Sequence, residues 1–127
     1  MAQVILVIDD DAAMRMTLER TLKQAGYEVV SAADGNEGLK VCRTRAVDVV
    51  ITDLFMPNKE GMETIIELRR NFPTTAIIAM SGTGVVAPML STAQILGATK
   101  TLAKPFEPEE MLTAIEEALR TGSKDST

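Results

Sequence analysis

The sequence predicts an α/β fold in which helices cover both faces of a five-stranded parallel sheet. Short runs rich in β-branched residues alternate with longer amphipathic segments along the chain, as is typical of βαβ units. The first run, Val4 to Ile8, is apolar without interruption, as expected for a strand covered on both faces. Polar residues follow several strands, and the carboxyl ends of parallel strands share one edge of the sheet. We therefore expect a ligand site at that edge.

In the first third of the chain, the pattern predicts a strand, a helix and a second strand. Residues 12–25 place Leu18 and Leu22 on one helical face. Gly26 follows as the expected end of this helix, because glycine readily takes the left-handed conformation found there. Residues 28–32 then form a second, weaker strand, which completes one βαβ unit.

The middle of the chain repeats this order. Asp34 and Glu37 resemble a capping box, which predicts a helix that continues to about Arg45. Residues 47–52 are as apolar as the first strand and predict a third, buried strand. Residues 60–71 then show the periodicity of an amphipathic helix.

The last third of the chain completes the alternation. Residues 76–80 predict a fourth strand, and residues 99–103 predict a short fifth one. Between them, residues 87–96 carry apolar side chains at helical spacing. Pro108 is suited to the first turn of a last helix. The sequence thus predicts five strands and five helices.

The length of 127 residues, of which 46% are hydrophobic, is enough for one domain with a substantial core. We assign residues 1–121 to this domain and the small, polar residues 122–127 to a flexible tail. No second domain is expected in this chain. Any action on another molecule is therefore expected through a partner protein, or through a domain missing from this chain.

Charge and residue usage exclude several classes of function. The net charge of −5, without a basic stripe, argues against direct nucleic-acid binding. The first apolar run ends at three consecutive aspartates, so it predicts neither a signal peptide nor membrane insertion. Cys42 is the only cysteine and is expected to be a buried structural thiol. This cysteine usage and the lack of a predicted targeting segment lead us to expect a cytoplasmic protein. Because histidine is absent, its chemistry is expected to depend on carboxylates, hydroxyls and lysines.

Four strands are followed by side chains that can act together. Asp9 and Asp10 follow the first strand, Asp53 ends the third, Ser81 ends the fourth and Lys104 follows the fifth. Carboxylates at close range repel one another and favour a hard divalent cation. Mg²⁺ suits such a site, because it keeps several waters and binds through a few carboxylates together with phosphate oxygens.

These groups form a nearly complete set for phosphoryl transfer. Asp53 offers a carboxylate nucleophile. Mg²⁺, Lys104 and the Ser81 hydroxyl can each stabilise one of the charged phosphoryl oxygens. Asp11 is assigned to the N-terminal cap of the first helix rather than to the metal.

Four short motifs resemble, in their order and spacing, the response-regulator receiver domain of two-component signalling. The motifs are Val7-Ile8-Asp9-Asp10-Asp11, Thr52-Asp53-Leu54-Phe55-Met56-Pro57 with Gly61, Ser81-Gly82 and Lys104-Pro105-Phe106. The resemblance covers residues 3 to about 120. It implies a doubly wound, flavodoxin-like (βα)5 fold with strand order 2-1-3-4-5, as in the chemotaxis receiver.

The resemblance also implies a metal site. Asp53 would be the phosphoacceptor and would bind Mg²⁺ together with Asp10, and Mn²⁺ could substitute for Mg²⁺. Asp9 would hold a metal-bound water, and the backbone carbonyl of Phe55 would complete the protein ligands.

The resemblance further implies which residues carry the signal. Ser81 is similar to the switch hydroxyl of the family, and Lys104 would pair with the phosphoaspartate. The bond between Lys104 and Pro105 is expected to be cis, which is accessible to an X-Pro bond. Thr101 departs from the pattern, because the family usually has an aromatic residue there that reports phosphorylation. We therefore expect phosphoryl chemistry without the usual aromatic readout.

The function implied by the resemblance is phosphorelay signalling. A histidine kinase or a phosphotransfer protein would supply the phosphoryl group to Asp53, and a change of shape would pass the signal to a partner. The chain would catalyse its own phosphorylation and dephosphorylation without being a turnover enzyme.

Three alternatives have different requirements. A pseudo-receiver that only docks to a partner is compatible with Thr101. A Mg²⁺-dependent phosphohydrolase of the haloacid-dehalogenase type would place a general acid two residues after Asp53, where this chain has Phe55. A flavin- or nucleotide-binding module would need a phosphate-binding loop after the first strand, where the three aspartates would repel phosphate.

Overall fold

The fold is a five-stranded parallel sheet with helices on both faces. The computed structural model describes residues 2–54, 61–82 and 97–125. In these ranges the elements are β1 (Val4–Ile8), α1 (Ala12–Gln24), β2 (Glu28–Ala32), α2 (Gly35–Thr44), β3 (Val49–Asp53), α3 (Gly61–Asn71), β4 (Ala76–Ser81), β5 (Lys100–Ala103) and α4 (Pro108–Asp125). The sheet order is β2-β1-β3-β4-β5, which confirms the predicted fold class and strand order. The helix predicted over residues 87–96 lies outside the described residues.

The register of the parallel strands aligns their carboxyl ends. Ile8, the last residue of β1, lies beside Ala32 of β2 and Thr52 of β3. Ser81, the last residue of β4, lies beside Ala103 at the end of β5. The residues that follow these positions therefore leave the sheet at the same edge, where the sequence predicts the ligand site.

Each face of the sheet is covered by its own apolar cluster. Because side chains alternate along β1, Ile5 packs with Leu22 of α1 and with the apolar side of α4. Leu6 faces the other way and packs with Leu39 of α2 and Leu68 of α3. Both clusters are buried, so the central strands form a rigid support for the residues at their carboxyl ends.

Helix termini follow the signals in the sequence. The Asp34 carboxylate accepts a hydrogen bond from the Glu37 backbone N–H at 2.9 Å and caps α2. Gly26 has a φ of 98°, in the left-handed region that permits the turn after α1. Both positions were correctly assigned from the sequence.

Two element boundaries differ from the prediction by more than one residue. The third strand begins at Val49, although Val47 is also buried. The last helix continues to Asp125 and includes residues assigned from the sequence to the tail. The flexibility of that tail stays a prediction. In the part of the chain that the structure describes, no helix combines the length and apolar character needed to cross a membrane.

Candidate functional site

Three carboxylates meet at the carboxyl edge of the sheet. Each of Asp9, Asp10 and Asp53 offers one oxygen, and these oxygens lie within 4.8 Å of one another. Asp9 is 0% exposed and Asp53 is 8% exposed, whereas Asp10 is open to solvent. The structure therefore brings together the three aspartates that the sequence predicts at one site.

Lys104 connects the two buried carboxylates. Its Nζ donates to Asp9 Oδ2 at 3.1 Å and to Asp53 Oδ2 at 2.9 Å. Its backbone N–H donates to the Ser81 carbonyl at 2.7 Å, which extends the pairing of β4 and β5 by one step. The peptide bond to Pro105 is cis, as expected. The ends of β1, β3 and β5 are thus joined through one ammonium group.

The loop between β1 and α1 is held by its own hydrogen bonds. Asp9 Oδ1 accepts from the Asp11 backbone N–H at 2.9 Å. The Asp11 carboxylate accepts from the backbone N–H groups of Ala13 and Met14, at 2.9 and 3.4 Å. Asp11 is therefore the N-terminal cap of α1, as predicted.

Arg15 is a residue of this region that sequence reasoning missed. One nitrogen of its guanidinium donates to the Asp9 backbone carbonyl at 2.6 Å, and the contact is partly buried. On the helix, Arg15 looks like any charged residue of the exposed face. The available signal was its place in the first turn, because helical side chains point back toward the N-terminus.

Burial and charge oppose each other at Asp9 and Lys104. Burial raises the pKa of Asp9 above its usual value, and the hydrogen bonds from Asp11 and Lys104 only partly offset this rise. For Lys104, burial lowers the pKa, but the hydrogen bonds to Asp53 and Asp9 outweigh it and leave the pKa raised. The ammonium therefore remains charged at neutral pH, where it compensates the two carboxylates.

The remaining predicted site residues have different surroundings. Ser81 is buried at the end of β4. Thr101 is half-buried on β5 and lines an open groove of about 530 Å³ between β5 and α4, together with Leu102 and Ala114. Glu109, Glu110 and Glu117 make this groove acidic. Phe55, whose backbone carbonyl was assigned to the metal, lies outside the described residues.

The donor set fits a small divalent cation. Three carboxylates and one ammonium leave a negative charge at the edge of the sheet. Carboxylate oxygens are the ligands that Mg²⁺ prefers, and the exposed side of Asp10 leaves room for its retained waters. Asp10 and Asp53 would bind the ion directly, and Asp9 would act through a water.

Comparison with known proteins places these features in a family context. A family model described as the response regulator receiver domain matches residues 5–116. The "Probable transcriptional regulator ycf27" of Porphyridium aerugineum is 37% identical over 123 residues, which are 97% of this chain and 50% of that protein. Response regulator MprA of Mycobacterium sp. (strain KMS) is 36% identical over 121 residues, which are 95% of this chain and 52% of that protein. The chain spans about half the length of the curated relatives it matches.

Solved structures with the same fold include single receiver domains and a longer protein. The chemotaxis protein CheY4 of Vibrio cholerae has a TM-score of 0.88 and 33% identity, over 94% of this chain and 100% of that chain. A CheY-like receiver domain protein of Methanospirillum hungatei has a TM-score of 0.92 and 27% identity, over 98% of this chain and 99% of that one. For NtrX of Brucella abortus, the TM-score is 0.90 and the identity 27%, over 99% of this chain and only 28% of that one.

Proposed function

Because this chain belongs to the family of response regulator receiver domains, we propose that Asp53 accepts a phosphoryl group from a histidine kinase or a phosphotransfer protein. The observation that carries the proposal is the position of Lys104, whose ammonium donates to both Asp9 and Asp53. A cation shared by two buried carboxylates marks the place where further negative charge can be accommodated. The broader role is two-component signalling.

Asp53 is the nucleophile of the proposed step. One of its carboxylate oxygens attacks the phosphorus of the donor, and the bond between phosphorus and the donor nitrogen breaks. The donor imidazole leaves with the electron pair and takes up a proton, while Asp53 becomes an acyl phosphate. When bound by Asp10 and Asp53, with Asp9 acting through a water, Mg²⁺ supplies positive charge that stabilises the phosphoryl oxygens.

Lys104 and Ser81 act on the product of this step. The charged ammonium of Lys104 can exchange one carboxylate contact for a phosphoryl oxygen without a proton transfer. Ser81 ends the neighbouring strand, and its hydroxyl can donate to a second oxygen once the strand end shifts. The Lys104 backbone N–H donates to the Ser81 carbonyl, so a shift at the end of one strand would also move the other, which supports a signal carried by a change of shape.

The output of the domain is part of the same proposal. Among the residues that the structure describes, no aromatic side chain lines the groove beside Thr101, so the readout would use the backbone or another surface. The signal would reach a downstream protein target, or an effector domain outside this chain. We further propose a cytoplasmic protein that catalyses its own phosphorylation and dephosphorylation without acting as a turnover enzyme.

The mass of the intact protein after incubation with acetyl phosphate tests the proposal. The native chain should gain one phosphoryl group with Mg²⁺ and none with excess chelator, and Asp53→Ala should gain none. Asp48→Ala is the matched control, because Asp48 is an exposed aspartate that directly precedes β3, at the end opposite to Asp53. Labelling of Asp53→Ala to the native extent would rule out Asp53 as the acceptor.

A docking role without phosphorylation is the second candidate, and Thr101 is the observation that favours it. A chain that takes up no phosphoryl group with Mg²⁺, under conditions in which a known receiver is labelled, would support this role. The Asp9, Asp53 and Lys104 contacts would then serve only the stability of the fold.

A further inference from the structure

We propose that Arg15 is a positioning residue for the metal site, acting through the peptide that joins Asp9 to Asp10. This inference rests on the proposed function, because it concerns the Mg²⁺ that phosphoryl transfer requires. In the described part of the chain, Arg15 forms no ion pair with a carboxylate, and its side chain makes one hydrogen bond, of 2.6 Å, to the Asp9 carbonyl.

Asp10 depends on its backbone for its position. Asp9 is held through its side chain by the Asp11 N–H and by Lys104, and Asp11 is held as the cap of α1. Among the described residues, no hydrogen bond or ion pair holds the exposed Asp10 side chain. The region that its carboxylate can reach is therefore set by the placement of its Cα.

Arg15 fixes the peptide group that sets this placement. The Asp9 carbonyl and the Asp10 nitrogen belong to one planar unit, so holding the carbonyl orients the whole unit and the Asp10 Cα at its far end. The donor is a charged guanidinium, which makes a stronger hydrogen bond than a neutral group. Its first-turn position on α1 ties the loop to a helix that packs on the sheet.

A purely electrostatic role for Arg15 predicts the opposite change in Mg²⁺ affinity when Arg15 is replaced. A guanidinium beside a cation site repels Mg²⁺, so removal of its charge alone would tighten metal binding. Loss of positioning would weaken binding instead, because Asp10 would have to be ordered when the ion binds. The direction of the change in Mg²⁺ affinity therefore separates the two roles.

The test measures Mg²⁺ binding by titration calorimetry, together with the Mg²⁺ concentration that gives half-maximal labelling by acetyl phosphate. Arg15→Met should weaken Mg²⁺ binding about tenfold, the lower end of the range for residues that orient metal ligands. Labelling at saturating Mg²⁺ should stay close to native. Arg15→Lys keeps a charged donor and should recover most of the affinity. Arg20→Met, with the same charge change on the exposed side of α1, is the control and should bind as the native chain does.

The outcomes separate this inference from the proposed function. A native chain that binds no Mg²⁺ would overturn the proposed function and this inference with it. A native chain that binds Mg²⁺, with Arg15→Met binding equally well or better, would overturn the inference alone. Equal weakening in Arg15→Met and Arg20→Met, or no recovery in Arg15→Lys, would also contradict it. If Arg15→Met does not fold, Arg15→Gln takes its place, because its shorter side chain removes the charged donor.

Discussion

At the scale of single residues, Lys104 supplies the positive charge that compensates the two buried carboxylates of the site. Its side chain is 17% exposed, whereas those of Asp9 and Asp53 are 1% and 11% exposed. Two carboxylates buried to this degree would destabilise the fold if no positive charge compensated them. We therefore expect the ammonium that is proposed to act in phosphoryl transfer also to stabilise the metal-free protein.

Replacement of Lys104 by Met should lower the free energy of unfolding in metal-free buffer at pH 7 by about 2 kcal/mol, because it leaves both carboxylates without their cation. Urea denaturation measures the change. Lys100→Met is the matched control, since Lys100 pairs with Glu117 at 3.7 Å on the surface and should contribute less than about 1 kcal/mol. Equal losses in the two variants would show that Lys104 does not compensate buried charge.

Burial of Cys42 should make the stability of the protein depend on pH in the alkaline range. Burial raises the pKa of this thiol from 9.0 to about 11. The folded state thus favours the neutral thiol, and its contribution to stability is complete below pH 9 and is lost as the pH rises toward 11. The stability advantage of the native chain over Cys42→Ala should shrink by about 2 kcal/mol between pH 8 and 10.5. An advantage that stays constant over this range would contradict the raised pKa.

The residues of the site differ in how far sequence could predict them. The positions of Asp9, Asp53 and Lys104 follow from one rule, that parallel strands end at a common edge. Their distances and the sharing of Lys104 do not follow from that rule, because they depend on side-chain packing. The contact of Arg15 with a backbone carbonyl has only one weak signal in the sequence, which is the place of Arg15 in the first turn of α1.

At the scale of secondary-structure elements, the packing of α2 on β1 depends on one glycine. A Cβ added to Gly38 would lie 2.3 Å from Ile8 Cδ1 and 2.8 Å from Ile8 Cγ1. Ile8 is fully buried and directly precedes Asp9, so it has little room to move. Close approach of the helix to the strand therefore requires glycine at this position.

Gly38→Ala should destabilise the protein by about 1–3 kcal/mol, because it overpacks the contact between α2 and β1. Ile8→Val removes the Cδ1 atom that an added Cβ would meet. Gly38→Ala should therefore cost less stability in the Ile8→Val background than in the native chain. Thermal denaturation of the four proteins gives the coupling. Gly82→Ala is the control, since an added Cβ there meets no atom of the described residues within 4 Å. Strictly additive effects of Gly38→Ala and Ile8→Val would contradict this contact.

The start of β3 is an element boundary that the pattern of apolar residues did not predict correctly. Val47 is buried, and its apolar character led to an early start for the third strand. The strand ladder begins only at Val49, because Asp48 pairs with Val4 through both its backbone N–H and its carboxylate. Apolar residues mark burial, whereas the strand assignment depends on backbone hydrogen bonds that a pattern cannot show.

At the scale of the whole molecule, metal binding and folding should be coupled. The carboxylates of the site come from β1 and β3, so an ion bound between them favours the folded chain. At a Mg²⁺ concentration one hundred times its dissociation constant, the native chain should gain about 2.7 kcal/mol of stability. The melting temperature should therefore rise with Mg²⁺.

Asp10→Asn should change the melting temperature in opposite ways with and without metal. Without Mg²⁺, it should melt about 2–4 °C above the native chain, because one of three mutually repelling carboxylates is neutral. With Mg²⁺, the increase seen for the native chain should be lost. Glu116→Gln removes an exposed charge on α4 and should keep that increase. A metal-free melting temperature equal to or below the native value would count against repulsion among the carboxylates.

The measurement that tests phosphorylation of Asp53 most directly is the location of the modified residue. Reduction of the acetyl-phosphate-treated chain with borohydride converts an aspartyl phosphate to homoserine, and peptide mass spectrometry then locates the modified residue. We expect homoserine at position 53, dependent on Mg²⁺. Homoserine at another aspartate, or a phosphoryl group on Ser81 that resists reduction, would contradict it.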